Sequence, residues 1–170
     1  MAIALKIIAL GLAALTAGLA AYAQTSWKKK PLGVPGWELH EKGDWFEDPS
    51  NAIVQAVWSN GKTRFSIGCT FGSSIDVTWQ PSAPFAAGLA APVTFSIDGG
   101  TVATRSFAGG EANPYGWSEP GGAALALVEA IYTKWTGNLV ISGGGVIDTI
   151  AFDEQKLGGV SEVVLMACGK

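Results

Sequence analysis

Asp98, Glu111, Asp148, Asp153 and Glu154 are the side chains of this chain most suited to paired acid–base chemistry. Two carboxylates roughly 5–10 Å apart can cleave a glycosidic bond, one as acid and the other as base or nucleophile. Nearly all of these residues fall at expected strand ends or turns, where Asp and Glu also serve solubility and turn geometry. His40 is the only imidazole. It lies in a stretch that reads as irregular, and no Gly-x-Ser-x-Gly elbow accompanies it, which argues against a serine hydrolase. One His and two distant Cys do not form a zinc set, and no dense carboxylate series suggests calcium. The glycine runs at 99–100, 109–110 and 143–145 lack the spacing of a phosphate cradle. No catalytic residue, metal or cofactor is assigned from these patterns.

Aromatic residues carry the positive signal. The chain has seven tryptophans. Trp79 and Trp135 fall on expected core faces. Trp45 sits with Phe46 in a charged stretch, and Tyr115 and Trp117 sit in a Gly/Pro-rich segment that reads as a long loop over 108–122. Exposed aromatics on loops are the residue types that anchor partners. Tyr115, Trp117 and Trp45 are therefore the candidate partner-binding residues. The alternative is that these rings fold back to plug the end of a sandwich.

The elements that position them follow from periodicity. Residues 53–58 and 63–71 flank Asn60-Gly61 and read as a hairpin, with Phe65, Ile67, Cys69 and Phe71 on one face. Ile75, Val77 and Trp79 alternate likewise. Val93, Phe95 and Ile97 follow, with a turn at Gly99-Gly100 and a return strand over 101–107. From Ala123 to Trp135 the period changes: Leu127, Ile131 and Trp135 stand four apart, the mark of an amphipathic helix. Residues 139–142 and 146–152 form a second hairpin, and Val160 to Cys168 a short helix. The fold class is mainly β (α+β): an antiparallel β-sandwich or bent sheet with one packed helix and a short C-terminal helix.

Lys6 precedes an uncharged run of Ile, Leu, Ala, Gly and Thr, and Ala21-Tyr22-Ala23 supplies the small residues of a cleavage site. The run is roughly 15 residues, short of the ~20 needed to span a bilayer. Residues 1–23 thus read as a cleavable signal peptide, 24–36 as a Pro/Gly-rich leader and 37–170 as one domain, without a stable membrane span after cleavage. Loss of Lys6 leaves the mature chain one charge more acidic than the net −3 of the whole. Nucleic acid is an unsuitable partner, because phosphate binding needs clustered Lys and Arg. Lys28-Lys29-Lys30 is such a cluster but reads as a solvated leader, contact with an anionic surface being the alternative. Two cysteines in an exported chain make a Cys69–Cys168 disulfide the default, two buried thiols being the alternative.

The order of elements resembles small exported bacterial proteins, namely the VasI/TagO-like periplasmic group associated with type VI secretion and, less closely, the invasion-associated locus B family. Phe65-Ser66-Ile67-Gly68-Cys69, the strand through Trp79, Val93 to Gly100 with its Asp-Gly turn, Leu139-Val140-Ile141, Phe152-Asp153 with Leu157-Gly158, and a terminal helix ending in Cys168 carry it. The chain departs from the pattern in its Gly/Pro-rich 109–122 segment and at Ser96-Ile97, where a basic residue would precede the turn. The resemblance implies a non-enzymatic accessory role in the envelope and transfers no catalytic residue. The expected function is an exported binding or accessory protein, periplasmic or secreted, acting through loops on an envelope protein or cell-surface component. A carboxylate-dependent cell-wall or polysaccharide hydrolase is the alternative.

Overall fold

Alternation of apolar and polar residues over most of the chain builds two antiparallel sheets. The computed structural model describes residues 26–70, 74–83, 90–108, 115–119 and 122–170. The proposed signal segment lies outside the described residues. Strands β1 (Lys28–Pro31), β2 (Trp37–Lys42), β3 (Ile53–Ser59), β4 (Arg64–Thr70), β5 (Ser74–Gln80) and β8 (Tyr115–Glu119) form one sheet in that order. Strands β6 (Ala90–Ile97), β7 (Gly100–Ala108), β9 (Thr136–Gly143) and β10 (Val146–Asp153) form the other, in the order β10-β9-β6-β7. Helix α1 (Gly122–Lys134) touches both sheets, and the short helices α2 (Glu154–Leu157) and α3 (Val160–Ala167) close the C-terminus, with α3 against β3, β4 and α1. This is the expected sandwich with packed helices. No helix among the described residues is long and apolar enough to cross a membrane.

The core lies between the sheets. Phe65, Ile67 and Cys69 of β4 and Ile75, Val77 and Trp79 of β5 share one buried cluster with Val93, Phe95, Leu139, Ile141 and Ile150 of the other sheet. Alternation alone would leave the outer face of β4 wet, yet Ser66 and Gly68 are buried too. Ser66 shares a hydrogen bond with Thr78, its cross-strand partner. A Cβ on Gly68 would come within 2.6 Å of the Gln55 Cα, so only glycine allows β3 and β4 to approach this closely.

Five segments differ from expectation. Lys28–Pro31, in the leader, pairs with β2 from Lys28↔Glu41 to Pro31↔Glu38, and the irregular stretch around His40 is itself β2. Residues 115–119 of the expected long loop are β8, paired with β5. The turn between β6 and β7 falls at Asp98-Gly99, both left-handed (φ 50° and 83°), one residue earlier than predicted. Trp135 is not core. Helix α1 buries Ala124, Leu127, Val128 and Ile131, then ends; Trp135 takes φ 60° to turn the chain into β9 and is 52% exposed.

Cys69 of β4 is bonded to Cys168, the C-cap of α3, with their Cα atoms 5.3 Å apart. The bond closes a loop with a sequence separation of 99 residues. It ties the last helix to the middle of the six-stranded sheet. Replacing both cysteines by Ala is expected to lower stability by about 2–5 kcal/mol, read as a drop in the urea midpoint; an unchanged midpoint would show that the bond adds nothing to packing.

Candidate functional site

Each described candidate carboxylate has a bonding partner within the fold. Asp148, on the inward face of β10, accepts from Trp79 Nε1 (2.9 Å), Thr63 Oγ1 (3.0 Å) and Ser82 N (3.1 Å). Asp98 Oδ1 accepts from Asn138 N. Asp153 caps α2 through Lys156 N and also pairs with Lys156 Nζ; this side-chain contact holds its carboxyl below the usual aspartate range. Glu154 is buried and accepts from Ser161 N (2.9 Å) and Ser161 Oγ (3.0 Å), capping the first turn of α3. Burial pushes its carboxyl above the usual range, against those two hydrogen bonds. Glu111 lies outside the described residues. Among the described residues no three His, Cys, Asp or Glu side chains are grouped as a metal site.

Open polar chemistry gathers instead at the β1–β2 edge. Successive residues of a strand point to opposite faces, so β2 serves two surfaces. On its outer face stand Glu38 and His40. Glu38 Oε2 and His40 Nε2 are 2.8 Å apart. A carboxylate can only accept, so the imidazole donates from Nε2. This bond, with the positive charges of Lys29 and Arg64, holds the Glu38 carboxyl below the usual glutamate range. The His40 side chain is only 7% exposed whereas Glu38 is 51% exposed. Both line an open groove of about 560 Å³, walled by the turn that carries Val34 and Pro35.

On the inner side of the same edge, Glu41 Oε2 pairs with Lys30 Nζ at 2.8 Å, and Glu41 Oε1 accepts from Trp45 Nε1 at 3.2 Å. Phe46 stacks on Trp45, ring centroids 3.8 Å apart, and is 74% exposed. The turn carrying them is braced by its own carboxylates. Asp44 Oδ1 accepts from Phe46 N and Glu47 N, while Asp48 accepts from Ser50 and Asn51. The hydrogen bond from Asn51, then that from Ser50, holds Asp48 below its usual range. Phe46 is thus an apolar knob on a fixed seat.

The three aromatic candidates do not converge. Tyr115 and Trp117 occupy register positions opposite Trp79 and Val77 in β8, which with β1 bounds the six-stranded sheet. Trp45 follows β2 near the other edge and is half-buried as the seat of Phe46. Of the groove residues, the sequence marked Lys29 only as part of a basic cluster and His40 only as the lone imidazole, and it singled out neither Glu38 nor Arg64 as a site residue. The signal that marks Glu38 and His40 is the period-two run Trp37-Glu38-Leu39-His40-Glu41. Comparison with protein-family models found no match, and searches of curated proteins and of solved structures found none either.

Two substitutions test the structural reading of the carboxylates. Asp148→Asn turns one acceptor oxygen into a donor facing buried donors and is expected to cost about 2 kcal/mol or more; a neutral effect on the urea midpoint would contradict the network. Glu154 has a raised pKa in the folded chain, so its ionisation lowers stability as pH rises from the ordinary glutamate value through the folded one. Glu154→Gln should flatten that fall, whereas Glu154→Ala removes the cap and costs about 1 kcal/mol. An identical pH dependence of urea unfolding in wild type and Glu154→Gln would contradict the assignment.

Proposed function

We propose that the mature chain is an exported binding or accessory protein of the cell envelope, which docks a protein partner on the Phe46–Trp45 surface. The observation that carries this reading is the phenylalanine itself, 74% exposed yet stacked on a tryptophan that Glu41 holds in place. A ring already fixed in position loses little freedom on binding, which is why preorganised aromatics dominate interface energies. The short acidic turn around it (Asp44, Glu47, Asp48) supplies a polar rim.

The Cys69–Cys168 disulfide supports an oxidising compartment. Together with the signal-like N-terminus it favours the periplasm or the cell exterior. The resemblance to the VasI/TagO-like and invasion-associated locus B proteins points to the same accessory role. The polysaccharide-hydrolase alternative is weaker, since Asp98, Asp148, Asp153 and Glu154 all have bonding roles within the fold.

The test is a pull-down from envelope extract with the mature, oxidised protein beside Phe46→Ala and a Tyr115→Ala/Trp117→Ala double variant. Phe46→Ala is expected to leave stability within about 0.5 kcal/mol and to weaken capture of a specific partner by about tenfold or more. Equal capture by wild type and Phe46→Ala would overturn the assignment of this surface. Loss confined to the double variant would move the contact to the β8 edge.

A further inference from the structure

The groove on the opposite face of the β1–β2 edge has a composition of its own. Lys29, Glu38, His40 and Arg64 line it with Val34, Pro35 and Val57. Among its charged groups Lys29 and Arg64 outnumber Glu38, so it is cationic in a chain of net charge −3. Neither Lys29 nor Arg64 makes an ion pair with a carboxylate among the described residues, although both lie near enough to act on the Glu38 charge. Glu38 is bonded to His40 through Oε2 alone, which leaves Oε1 an open acceptor at the groove surface. The walls are fixed. Ser59 N donates to Gly36 O and Trp37 N to Val34 O, anchoring the turn that carries Val34 and Pro35 beside β3. Val57, on the outer face of β3, is 4% exposed and pairs across the strands with Glu38 and Ser66.

A guanidinium fork, a fixed acceptor and an apolar wall define a ligand chemistry. The guanidinium matches a carboxylate through two parallel hydrogen bonds. An acceptor carboxylate wants an N–H donor, and the Val/Pro wall wants an apolar side chain. A volume of about 560 Å³ is in the range of pockets that hold small organic ligands. We propose that this groove binds an N-acylated α-amino acid carboxylate, the chemistry of a peptide C-terminus. Its carboxylate sits on Arg64, its amide N–H on Glu38 Oε1 and its side chain on Val34, Pro35 and Val57. Lys29 offsets the charge of Glu38 so that a second carboxylate is tolerated nearby. The site is distinct from the Phe46 surface, and its function stands or falls separately.

Calorimetric and NMR titration of the mature, oxidised chain with N-acetyl-L-phenylalanine tests it, with N-acetyl-L-phenylalanine amide as the uncharged comparison. Saturable binding of the acid, at least tenfold tighter than the amide, with shifts at Val34, Val57 and Arg64, is the expected result. Arg64→Gln and Lys29→Gln should each weaken the acid by about tenfold, while Lys28→Gln and Phe46→Ala leave it unchanged. Arg64 and Lys29 are exposed, so their variants are expected to fold. A tripeptide ending in phenylalanine that binds more tightly than the single residue identifies a peptide end as the ligand; equal affinity identifies a free acylated amino acid. No saturable binding of the acid up to millimolar concentration, equal binding of acid and amide, or an Arg64→Gln variant that binds as wild type would each overturn the proposal.

Discussion

Two indole N–H groups buried between the sheets must find acceptors, and the rest of the molecule depends on where they find them. Trp79 is fully buried in the six-stranded sheet and donates to Asp148 of β10, in the opposite sheet. Trp37 is 3% exposed and donates to the carbonyl of Ala151, three residues further along β10. A buried polar group without a partner costs about 1–3 kcal/mol, so these bonds select one offset of β10 against β2 and β5. Thr63 and Ser82 add donors to the same carboxylate, which spreads its charge over three hydrogen bonds. Asp148 acts as a clamp between sheets.

Trp37 is also the first residue of β2, and through it the clamp reaches the β1–β2 edge. With Trp37 held inward, alternation turns Glu38 and His40 out to the groove and Glu41 in, toward Lys30 and Trp45. The four-residue strand β1 adds Lys29 on one face and Lys28 and Lys30 on the other. One short strand pair thereby serves two unlike surfaces, a cationic groove and an aromatic knob. A one-residue slip of β2 would exchange them and bury a charged pair against the core.

Most of the scaffold was legible. From β3 to β7 and in β9, β10, α1 and α3, the hydrophobic period gave the type of element that forms, and the disulfide followed from cysteine count and context. The failures have physical causes. Lys28-Lys29-Lys30 has the composition of a solvated leader, and its strand conformation comes from hydrogen bonds to β2 that no local pattern announces. In β8, Gly116 and the prolines at 114 and 120 speak against a strand, while pairing with β5 supplies it. Trp135 continued the helical period by one residue beyond α1, into the left-handed turn that it itself makes. At the site, local hydrophobicity would turn Ile147 inward and Asp148 outward. The reverse holds, Ile147 being 72% exposed and Asp148 8%, because the buried donors of Trp79 and Thr63 require an acceptor. Asp148 was legible as an acid and illegible as a clamp, since its partners lie 69 and 85 residues away.

On the proposed function, the protein works by presenting Phe46 to a partner. Site-specific photo-cross-linking in the intact envelope tests it most directly, with a photoreactive phenylalanine at position 46 and, as control, at the exposed Thr104 of β7. One discrete adduct from position 46 and none from position 104 is the expected result. Matching adducts from both positions, or none from position 46, would contradict it.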